Sequence, residues 1–405
     1  MERDRLLSLP YMSRHTKYDF DALLLNHNVK LITGPRRVGK STQALLMLKG
    51  KNFAYLNFDD NALLDNWDEE LAMQILDEVY PGYDFLLLDE VQNINNWDIW
   101  VAKLYRRGIN MVITGSNANM LSGEMATMLT GRYLEIKMFP FSLEEVLEWN
   151  HVDMNAGNAL DSPHVEAIAS EFLRYGGFPE SVVLRAITGS YLSALFDSIL
   201  FKDVVKRHRL RNVTDLGDVA TFLLSNCGNR LSYNDVARDL KLASINTAKK
   251  YMEYLREPFL LYYLSRYDNK LRLMKRAPRK VYAVDNGIIR AKAFGVSENL
   301  GHLLENQVFI ELLRRGYKVD ASIFYYQSRN NKEVDFVLRE GPHVKQLIQV
   351  CYDLGAPKTE KREVSALIEA AQELKCDDLV IVTNKEERII ERNGHTVKVV
   401  PVMKF

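Results

Sequence analysis

The run GPRRVGKS, from Gly34 to Ser41, contains residue types at a spacing that suits phosphate binding. It fits the pattern G-x-x-x-x-G-K-[ST] without deviation and lies between an apolar segment, VKLIT, and a helical pattern, STQALLMLKG. Glycines let the backbone N–H groups point at phosphate oxygens, and the start of a helix adds partial positive charge. The pattern therefore predicts an ATP phosphate loop, whose contacting residues are Gly34, Pro35, Arg36, Arg37, Val38, Gly39, Lys40, Ser41 and Thr42.

Two residues of this loop have predicted individual roles. Lys40 is expected to reach the β- and γ-phosphates of ATP, and the Ser41 hydroxyl is expected to ligate Mg²⁺. For Arg36 and Arg37, a phosphate contact and a solvated loop face are equally open.

The acidic pair Asp89–Glu90 follows four apolar residues, FLLL, that suit a buried strand. Such a strand would deliver Asp89 beside the phosphate loop, where its carboxylate completes the Mg²⁺ shell through water. Glu90 would accept a proton from an attacking water. The pair therefore indicates ATP hydrolysis and not binding alone.

The elements that must position these residues are short apolar strands separated by helical patterns. The predicted strands are VKLIT, FAYLNF, DFLLLD and INMVITGS. Continuous apolar strands indicate a parallel sheet covered on both faces. We therefore predict an α/β nucleotide-binding core over residues 1–141.

Three further regions follow in the chain. Residues 142–211 have helical patterns, broken at Gly176-Gly177, and are predicted to form a helical lid. Residues 212–295 carry a helix-turn-helix pattern and then two strands around a turn at Asp268-Asn269, which predicts a winged helix. Residues 296–405 begin with a helix and then alternate strands and helices, which predicts a separate small α/β domain.

Several motifs occur in one order along the chain: the phosphate loop, DEVQ, TGS, LTGR and a Phe-Pro-Phe segment. Together they resemble prokaryotic AAA-type ATPases fused to a C-terminal domain. The resemblance implies that Ser116, with Thr114 as the alternative, senses the γ-phosphate. It implies that Arg132 is an arginine finger in a neighbouring subunit's site, which requires a homo-oligomer; a surface ion pair is the other interpretation. Asn57 is a candidate to restrain Glu90.

The C-terminal region carries acids at a recognisable spacing: Glu305 on a helix, Asp335 in EVDFVL, and Gln349-Val350-Cys351 on the next strand. It resembles the restriction-endonuclease-like (PD-(D/E)XK) fold, which binds Mg²⁺ with two acids and an E-x-K triplet. Here glutamine replaces the acid of the triplet and cysteine replaces its lysine.

Lys332 and Lys345 are near in sequence and are candidates to replace the missing lysine. An inactive fold kept for binding or assembly is the expectation for this region. An active nuclease and an unrelated α/β domain are the alternatives.

Basic residues concentrate in the predicted wing. Seven lie between Arg266 and Lys280, against the single acid Asp268. Lysine and arginine in such a wing suit phosphate-backbone contacts. The candidate duplex-DNA contacts are Lys249, Lys250, Arg272, Lys275 and Arg276. A solvated hairpin and a protein-docking face remain open.

Bulk composition sets outer limits. The 53 basic residues balance 53 acidic ones, so net charge neither favours nor excludes nucleic acid. The three cysteines, Cys227, Cys351 and Cys376, form no metal-binding or disulfide pattern. No apolar run approaches a membrane span, so no membrane partner and a cytoplasmic location are expected.

These observations predict an ATPase that uses ATP and Mg²⁺ to drive or switch its C-terminal domains on DNA. The alternative is an ATP-dependent switch or scaffold that assembles with a protein partner and carries an inactive nuclease-like domain. A small-molecule kinase is disfavoured because Glu90 suits water activation.

Overall fold

The computed structural model describes residues 2–12, 14–121, 129–152, 162–294 and 299–405. It contains a five-stranded N-terminal sheet, a three-stranded central sheet and a six-stranded C-terminal sheet. The predicted α/β class with a separate C-terminal sheet region is confirmed. Among the residues that the structure describes, no helix is both long and apolar enough to cross a membrane.

The N-terminal sheet is parallel and has the strand order β2-β3-β4-β1-β5. Its strands are β1 (Val29–Thr33), β2 (Phe53–Asn57), β3 (Phe85–Asp89), β4 (Asn110–Gly115) and β5 (Tyr133–Lys137). Its helices are α1 (Glu2–Leu7), α2 (Phe20–Leu25), α3 (Lys40–Met47), α4 (Asn61–Asp65), α5 (Glu69–Val79) and α6 (Trp97–Arg106), with 3₁₀ turns at Val91–Asn93 and Ala118–Leu121. The carboxyl ends of β1, β3 and β4 meet at one edge, which brings the predicted ATP residues together.

The region after this sheet is helical. Ser142 begins it with a capping box: its hydroxyl accepts from the Glu145 N–H, and the Glu145 side chain accepts from the Ser142 N–H. The helices are α7 (Leu143–Trp149), α8 (Pro163–Tyr175), α9 (Pro179–Val183), α10 (Thr188–Ser198) and α11 (Lys206–His208), with a 3₁₀ turn at Arg185–Ile187. A π-helical segment, Ile199–Val205, joins α10 to α11 and faces the nucleotide site.

The central region combines helices with an antiparallel sheet of order β6-β8-β7. Its strands are β6 (Arg230–Leu231), β7 (Leu261–Leu264) and β8 (Arg279–Ala283). Its helices are α12 (Val213–Ser225), α13 (Tyr233–Asp239), α14 (Ile245–Arg256), α15 (Leu271–Arg276) and α16 (Asn286–Lys292). Assignment of this region as a winged helix stays a prediction.

The connection between β7 and β8 differs from the expected tight turn at Asp268-Asn269. It contains the short helix α15, and Asp268 Oδ1 accepts a hydrogen bond from Lys270 N at the start of that helix. Before the helix, the backbone pairs with the C-terminal sheet: Tyr267 N donates to Tyr325 O at 2.6 Å, and Tyr325 N donates to Ser265 O at 3.1 Å. These partners satisfy backbone groups that a two-residue hairpin turn would have paired locally.

The C-terminal sheet has the order β13-β14-β12-β11-β10-β9, with β11, β12 and β14 parallel. Its elements are α17 (Leu300–Arg314), β9 (Ile323–Gln327), β10 (Glu333–Glu340), β11 (His343–Val350), α18 (Pro357–Leu374), β12 (Leu379–Thr383), β13 (Arg388–Arg392) and β14 (His395–Pro401). The predicted boundary between residues 295 and 296 lies outside the described residues, and the four-part division of the chain stays a prediction.

One apolar core joins the last three regions. It runs without interruption from Phe178 in the helical region through Tyr282 on β8 and Phe309 on α17 to Val380 on β12. The two faces of the N-terminal sheet have cores of their own. The helical, central and C-terminal regions are therefore packed as one body.

Candidate functional site

The phosphate loop has a conformation that only particular residues accept. Gly34 lies at φ +154°, and a Cβ atom there would come within 2.5 Å of Met138 O. Gly39, which precedes α3, has φ +94°, in the region that favours glycine. The two glycines therefore let the loop pass close to the backbone and turn into the helix.

Lys40 and Ser41 connect this loop to the end of β3. The buried Lys40 Nζ donates to Pro35 O at 3.1 Å and lies 3.1 Å from Glu90 Oε1. Ser41 Oγ donates to Asp89 Oδ1 at 2.8 Å. The tight loop, the buried ammonium and the hydroxyl–carboxylate pair fit ATP phosphates and Mg²⁺, so the predicted ligands lie together.

Asp89 is fixed by hydroxyl donors. Thr114 Oγ1 donates to its Oδ1 at 2.5 Å, and Tyr55 OH donates to its Oδ2 at 3.2 Å. Burial raises the pKa of Asp89, against the opposing effect of hydrogen bonds from Thr114 and Ser41. Thr114, the alternative γ-phosphate sensor, therefore serves the Asp89 carboxylate in this structure.

Glu90 is held in the left-handed backbone region, at φ 54°. Its Oε2 accepts from Gln92 Nε2 at 2.6 Å and from Ser116 Oγ at 3.0 Å. Burial would raise the pKa of Glu90, but the Lys40 ammonium and the hydrogen bond from Gln92 outweigh burial and lower it. Glu90 is therefore kept as a carboxylate, the form that accepts a proton.

The restraint on Glu90 comes from residues other than the predicted Asn57. Asn57 Nδ2 donates to Glu2 Oε1 at 3.4 Å, and its Oδ1 accepts from Asp59 N. Gln92, two residues after Glu90 in the DEVQ motif, holds the carboxylate instead. The prediction for Asn57 was wrong because, although Asn57 pairs with Asp89 across β2 and β3, its side chain is bonded to Glu2 and to the Asp59 backbone.

The two loop arginines bind acids of the helical region. Arg36 Nε lies 3.3 Å from Asp203 Oδ2, and Arg37 Nη1 lies 3.3 Å from Glu180 Oε1. Burial raises the pKa of Asp203, while Arg36 and Arg207 act to lower it. Arg207 Nη1 is buried and has no hydrogen-bond partner among the described residues.

Sequence reasoning missed Asp203 and Arg207 as neighbours of the nucleotide site. They lie in the basic stretch from Lys202 to Arg211, which has the composition of a nucleic-acid contact. Asp203 is the single acid inside that stretch, and its presence was the sequence signal that could have suggested a different role.

Arg132 lies far from the phosphate loop of its own chain. It is exposed and directly precedes β5, where its carbonyl accepts from Val29 N at 2.9 Å, at the start of β1. Because β5 and β1 are parallel, this is the edge opposite the loop that follows Thr33. An arginine-finger role for Arg132 therefore requires a second chain and stays a prediction.

Comparison with known proteins identifies three successive segments. Residues 26–147 match an AAA domain, residues 167–299 a domain of unknown function (DUF8612), and residues 300–405 a domain of unknown function (DUF4143). An uncharacterized protein of Methanocaldococcus jannaschii, MJ1544, is 32% identical over 408 residues, which span 96% of this chain and 90% of that protein. The chain belongs to the family of MJ1544.

Further similar proteins extend the comparison. An uncharacterized protein of Haemophilus influenzae is 34% identical over 346 residues, covering 80% of this chain and 83% of that protein. Among solved structures, the Walker-type ATPase PABY2304 of Pyrococcus abyssi covers 71% of this chain and 99% of its own, with 15% identity and a TM-score of 0.44. The AAA domain of this family places the chain among the P-loop ATPases.

The residues that the sequence predicted to form a nuclease-like centre lie partly together. Glu305 and Asp335 both contact the ammonium of Lys280, which comes from β8 of the central region. Gln349 directs its Nε2 to Glu363 Oε2 at 2.7 Å, and Cys351 Sγ donates to Asp353 O at 3.2 Å. The described residues contain no group of three or more His, Cys, Asp or Glu side chains arranged to hold a metal ion.

The two candidates to replace the missing lysine, Lys332 and Lys345, are paired with acids other than Glu305 and Asp335. Lys332 Nζ pairs with Glu369 Oε2 at 3.1 Å, and Lys345 Nζ pairs with Glu340 Oε2 at 3.0 Å. The arrangement of two free acids and a lysine that metal-dependent cleavage requires is therefore not formed by these residues.

The candidate DNA-contacting residues are exposed on two helices of the AAA-family chain. They are Lys249 and Lys250 on α14, and Arg272, Lys275 and Arg276 on α15. Lys280, one of the seven basic residues of the predicted wing, is fully buried and cannot contact a DNA phosphate. The backbone N–H of Ala118, two residues after Ser116, donates to Glu257 O at 2.7 Å, directly after α14.

Proposed function

We propose that this AAA-family protein hydrolyses ATP and uses hydrolysis to drive or switch its central and C-terminal regions on DNA. The observation that carries the proposal is the Glu90 carboxylate, held by Gln92 and Ser116 and 3.1 Å from the phosphate-loop ammonium of Lys40. A fixed base beside a phosphate loop suits attack by water on the γ-phosphate.

The proposed chemistry is a single displacement at the γ-phosphorus of ATP. Lys40, which pairs with Glu90 in this structure, would turn its ammonium to the β- and γ-phosphates. Glu90 would accept a proton from the water whose oxygen attacks phosphorus, while the bond to the bridging oxygen breaks and ADP leaves. Bound by Ser41 and Asp89, Mg²⁺ would neutralise charge on the phosphate oxygens.

Two sets of contacts support coupling between nucleotide and the rest of the chain. Arg36 and Arg37 tie the phosphate loop to Asp203 and Glu180 of the helical region. The Ala118–Glu257 hydrogen bond ties the segment after β4 to the end of α14. A shift of Ser116 on hydrolysis would therefore act directly on the helix that presents Lys249 and Lys250.

DNA is proposed as the partner because of the exposed positive charges on α14 and α15. Lysine and arginine that contact phosphates release counterions, which makes binding strongly dependent on salt. Helix α14 is the predicted recognition helix of a winged helix, with Lys249 and Lys250 on its exposed side.

The test of hydrolysis is ATP turnover by the full chain and two site variants. Lys40→Ala should lose ATP binding, and Glu90→Gln should keep binding but lose turnover by roughly 100-fold or more, since the base is removed. Lys49→Ala and Glu78→Gln, at exposed positions of the same domain, are the matched controls. Turnover by Glu90→Gln at the wild-type rate would contradict the assignment.

The test of the DNA partner is turnover and binding with duplex DNA at low salt. DNA should raise turnover, and the double variant Lys249→Ala/Lys250→Ala should weaken binding and flatten its salt dependence. Lys358→Ala/Lys361→Ala, at exposed positions of α18, removes the same charge elsewhere. Turnover and binding indifferent to DNA would contradict the DNA proposal.

A second candidate function is an ATP-dependent switch that assembles with a protein partner. Large apolar side chains are exposed beside the same basic residues: Ile245 at the start of α14, and Leu271 and Leu273 on α15. Exposed apolar residues among charges suit a protein interface. Turnover that rises with a partner protein and ignores DNA would favour this function.

A further inference from the structure

Lys280 ends among three carboxylates of the C-terminal region. Its Nζ lies 2.8 Å from Glu305 Oε1, 2.7 Å from Glu333 Oε1 and 2.7 Å from Asp335 Oδ1. The lysine side chain is 1% exposed. The ammonium donates hydrogen bonds to Glu305 Oε1 and Asp335 Oδ1, and Glu333 adds an ion pair. A buried charge is tolerated when it is matched in this way.

The carboxylates are themselves held in place by further donors. Tyr282 OH donates to Glu305 Oε1 at 2.6 Å, and Val350 N donates to Asp335 Oδ2 at 2.8 Å. Arg230 Nε on β6 lies 3.0 Å from Glu333 Oε2. The centre is therefore built from the central sheet on one side and from α17, β10 and β11 on the other.

The resemblance to restriction-endonuclease-like domains assigns Glu305 and Asp335 to a divalent metal, and the residues present do not fit one. Lys280 binds an oxygen of each acid. The third ligand position is Gln349, whose Oε1 accepts from Asp335 N at 3.3 Å while its Nε2 donates to Glu363. A divalent ion would have to displace a covalently attached cation.

We propose that Glu305, Glu333 and Asp335 form a cation site whose permanent occupant is the Lys280 ammonium. The nuclease-like centre is then an ionic junction that joins the central region to the C-terminal region and excludes a catalytic metal. Oxygens of all three acids lie within 2.8 Å of the Lys280 nitrogen, so the ammonium fills the space between them.

The geometry also predicts which metal would replace the lysine. Its oxygen neighbours lie at 2.7–2.8 Å from Nζ. Calcium–oxygen distances are about 2.3–2.6 Å and magnesium–oxygen distances about 2.0–2.1 Å. With the ammonium removed, small inward movements of the three carboxylates would suit Ca²⁺ better than Mg²⁺.

The experiment uses the full chain without nucleotide, with thermal unfolding and calorimetric titration of Ca²⁺. Without metal, Lys280→Ala should unfold at least about 5 °C below wild type, because two buried carboxylates, Glu305 and Asp335, and the partly exposed Glu333 lose their counter-charge. Ca²⁺ should bind Lys280→Ala with one-to-one stoichiometry and restore most of the lost stability. Wild type and Lys275→Ala, an exposed lysine of α15, should show neither effect.

Further variants cover the case in which Lys280→Ala does not fold. Lys280→Met/Asp335→Asn removes one carboxylate together with the ammonium and should be more stable than Lys280→Met. Unchanged unfolding of Lys280→Ala, no gain of Ca²⁺ binding, or metal binding by wild type that Asp335→Asn abolishes would overturn the proposal. These outcomes are independent of ATP hydrolysis, because no nucleotide is present.

Discussion

Around Glu90, an ammonium, an amide and a hydroxyl converge on one buried carboxylate. Lys40 reaches one of its oxygens, and Gln92 and Ser116 reach the other. Ser116 is fully buried at the end of β4. Its hydroxyl therefore fixes the direction of the carboxylate toward the phosphate loop.

Removing this hydroxyl should affect catalysis more than binding. Ser116→Ala should lower kcat by roughly 10- to 100-fold, since one hydrogen bond to a charged group contributes about 1.5–3 kcal/mol. The dissociation constant for ATP should change little. Steady-state kinetics and binding of a fluorescent ATP analogue separate the two effects, with Ser365→Ala on α18 as the control. A lost affinity with an unchanged kcat would contradict the positioning role.

His15 predicts a pH dependence in the N-terminal segment. Its ring nitrogens lie 3.2 Å from Glu144 Oε2 and 2.9 Å from Glu148 Oε1 on α7. Burial acts to lower the pKa of His15, but the two glutamates outweigh it and raise it. The stabilisation is therefore full below the unfolded pKa of about 6.5 and is lost as pH rises through the higher folded value.

The matching experiment compares unfolding of wild type and His15→Gln between pH 5.5 and 8.5. The variant should be less stable at the acidic end, by less than about 1 kcal/mol because the pairs are partly exposed. At pH 8.5 the free energies of unfolding of wild type and His15→Gln should be the same. A difference that is constant with pH would show that the histidine acts through packing and not through charge.

At this scale, the structure brings together the predicted residues whose sequence signal is local. Lys40, Ser41, Asp89 and Glu90 lie in compact motifs whose chemistry depends on neighbouring residues in the chain. The pairing of Arg36 with Asp203 spans 167 positions, and that of Lys280 with Asp335 spans 55. No local pattern specifies such pairs, because they form only when separate elements pack together.

At the scale of the elements, the close passage of the loop at Gly34 gives a sharp test. Gly34→Ala should abolish ATP binding, since the added Cβ would come within 2.5 Å of Met138 O and must displace backbone. Gly189→Ala is the matched control, because nothing lies within 4 Å of its added Cβ on helix α10. The control should bind ATP normally and fold at least as stably.

Elements were predictable where burial is continuous. The strands β1, β3 and β4 are almost wholly buried and appear in the sequence as unbroken apolar runs. Strand β13 is largely exposed, so its residues carry no apolar pattern. Helix α15 has no buried residue and was missed for the same reason.

For the whole molecule, the position of Arg132 gives a test of whether copies of this chain associate. Its guanidinium lies on the sheet edge opposite the phosphate loop, so only another chain's nucleotide can meet it. If it is a finger, Arg132→Ala should bind ATP yet lose turnover by about 10³-fold or more. The specific activity of wild type should fall on dilution, whereas Arg106→Ala on α6 should behave as wild type. An ATP turnover per chain that does not change on dilution would contradict the assignment of Arg132 as an arginine finger.

The core that runs from Phe178 to Val380 has a consequence for how this protein can evolve. A segment whose apolar face is shared with its neighbours cannot be exchanged without rematching those faces. Chimeras that graft the C-terminal 106 residues of a relative onto this chain should fold poorly, even where the relative has the same residues at the positions of Glu305 and Asp335. A recombination junction at residue 300 would cut this shared core, so the last three regions are expected to be inherited together.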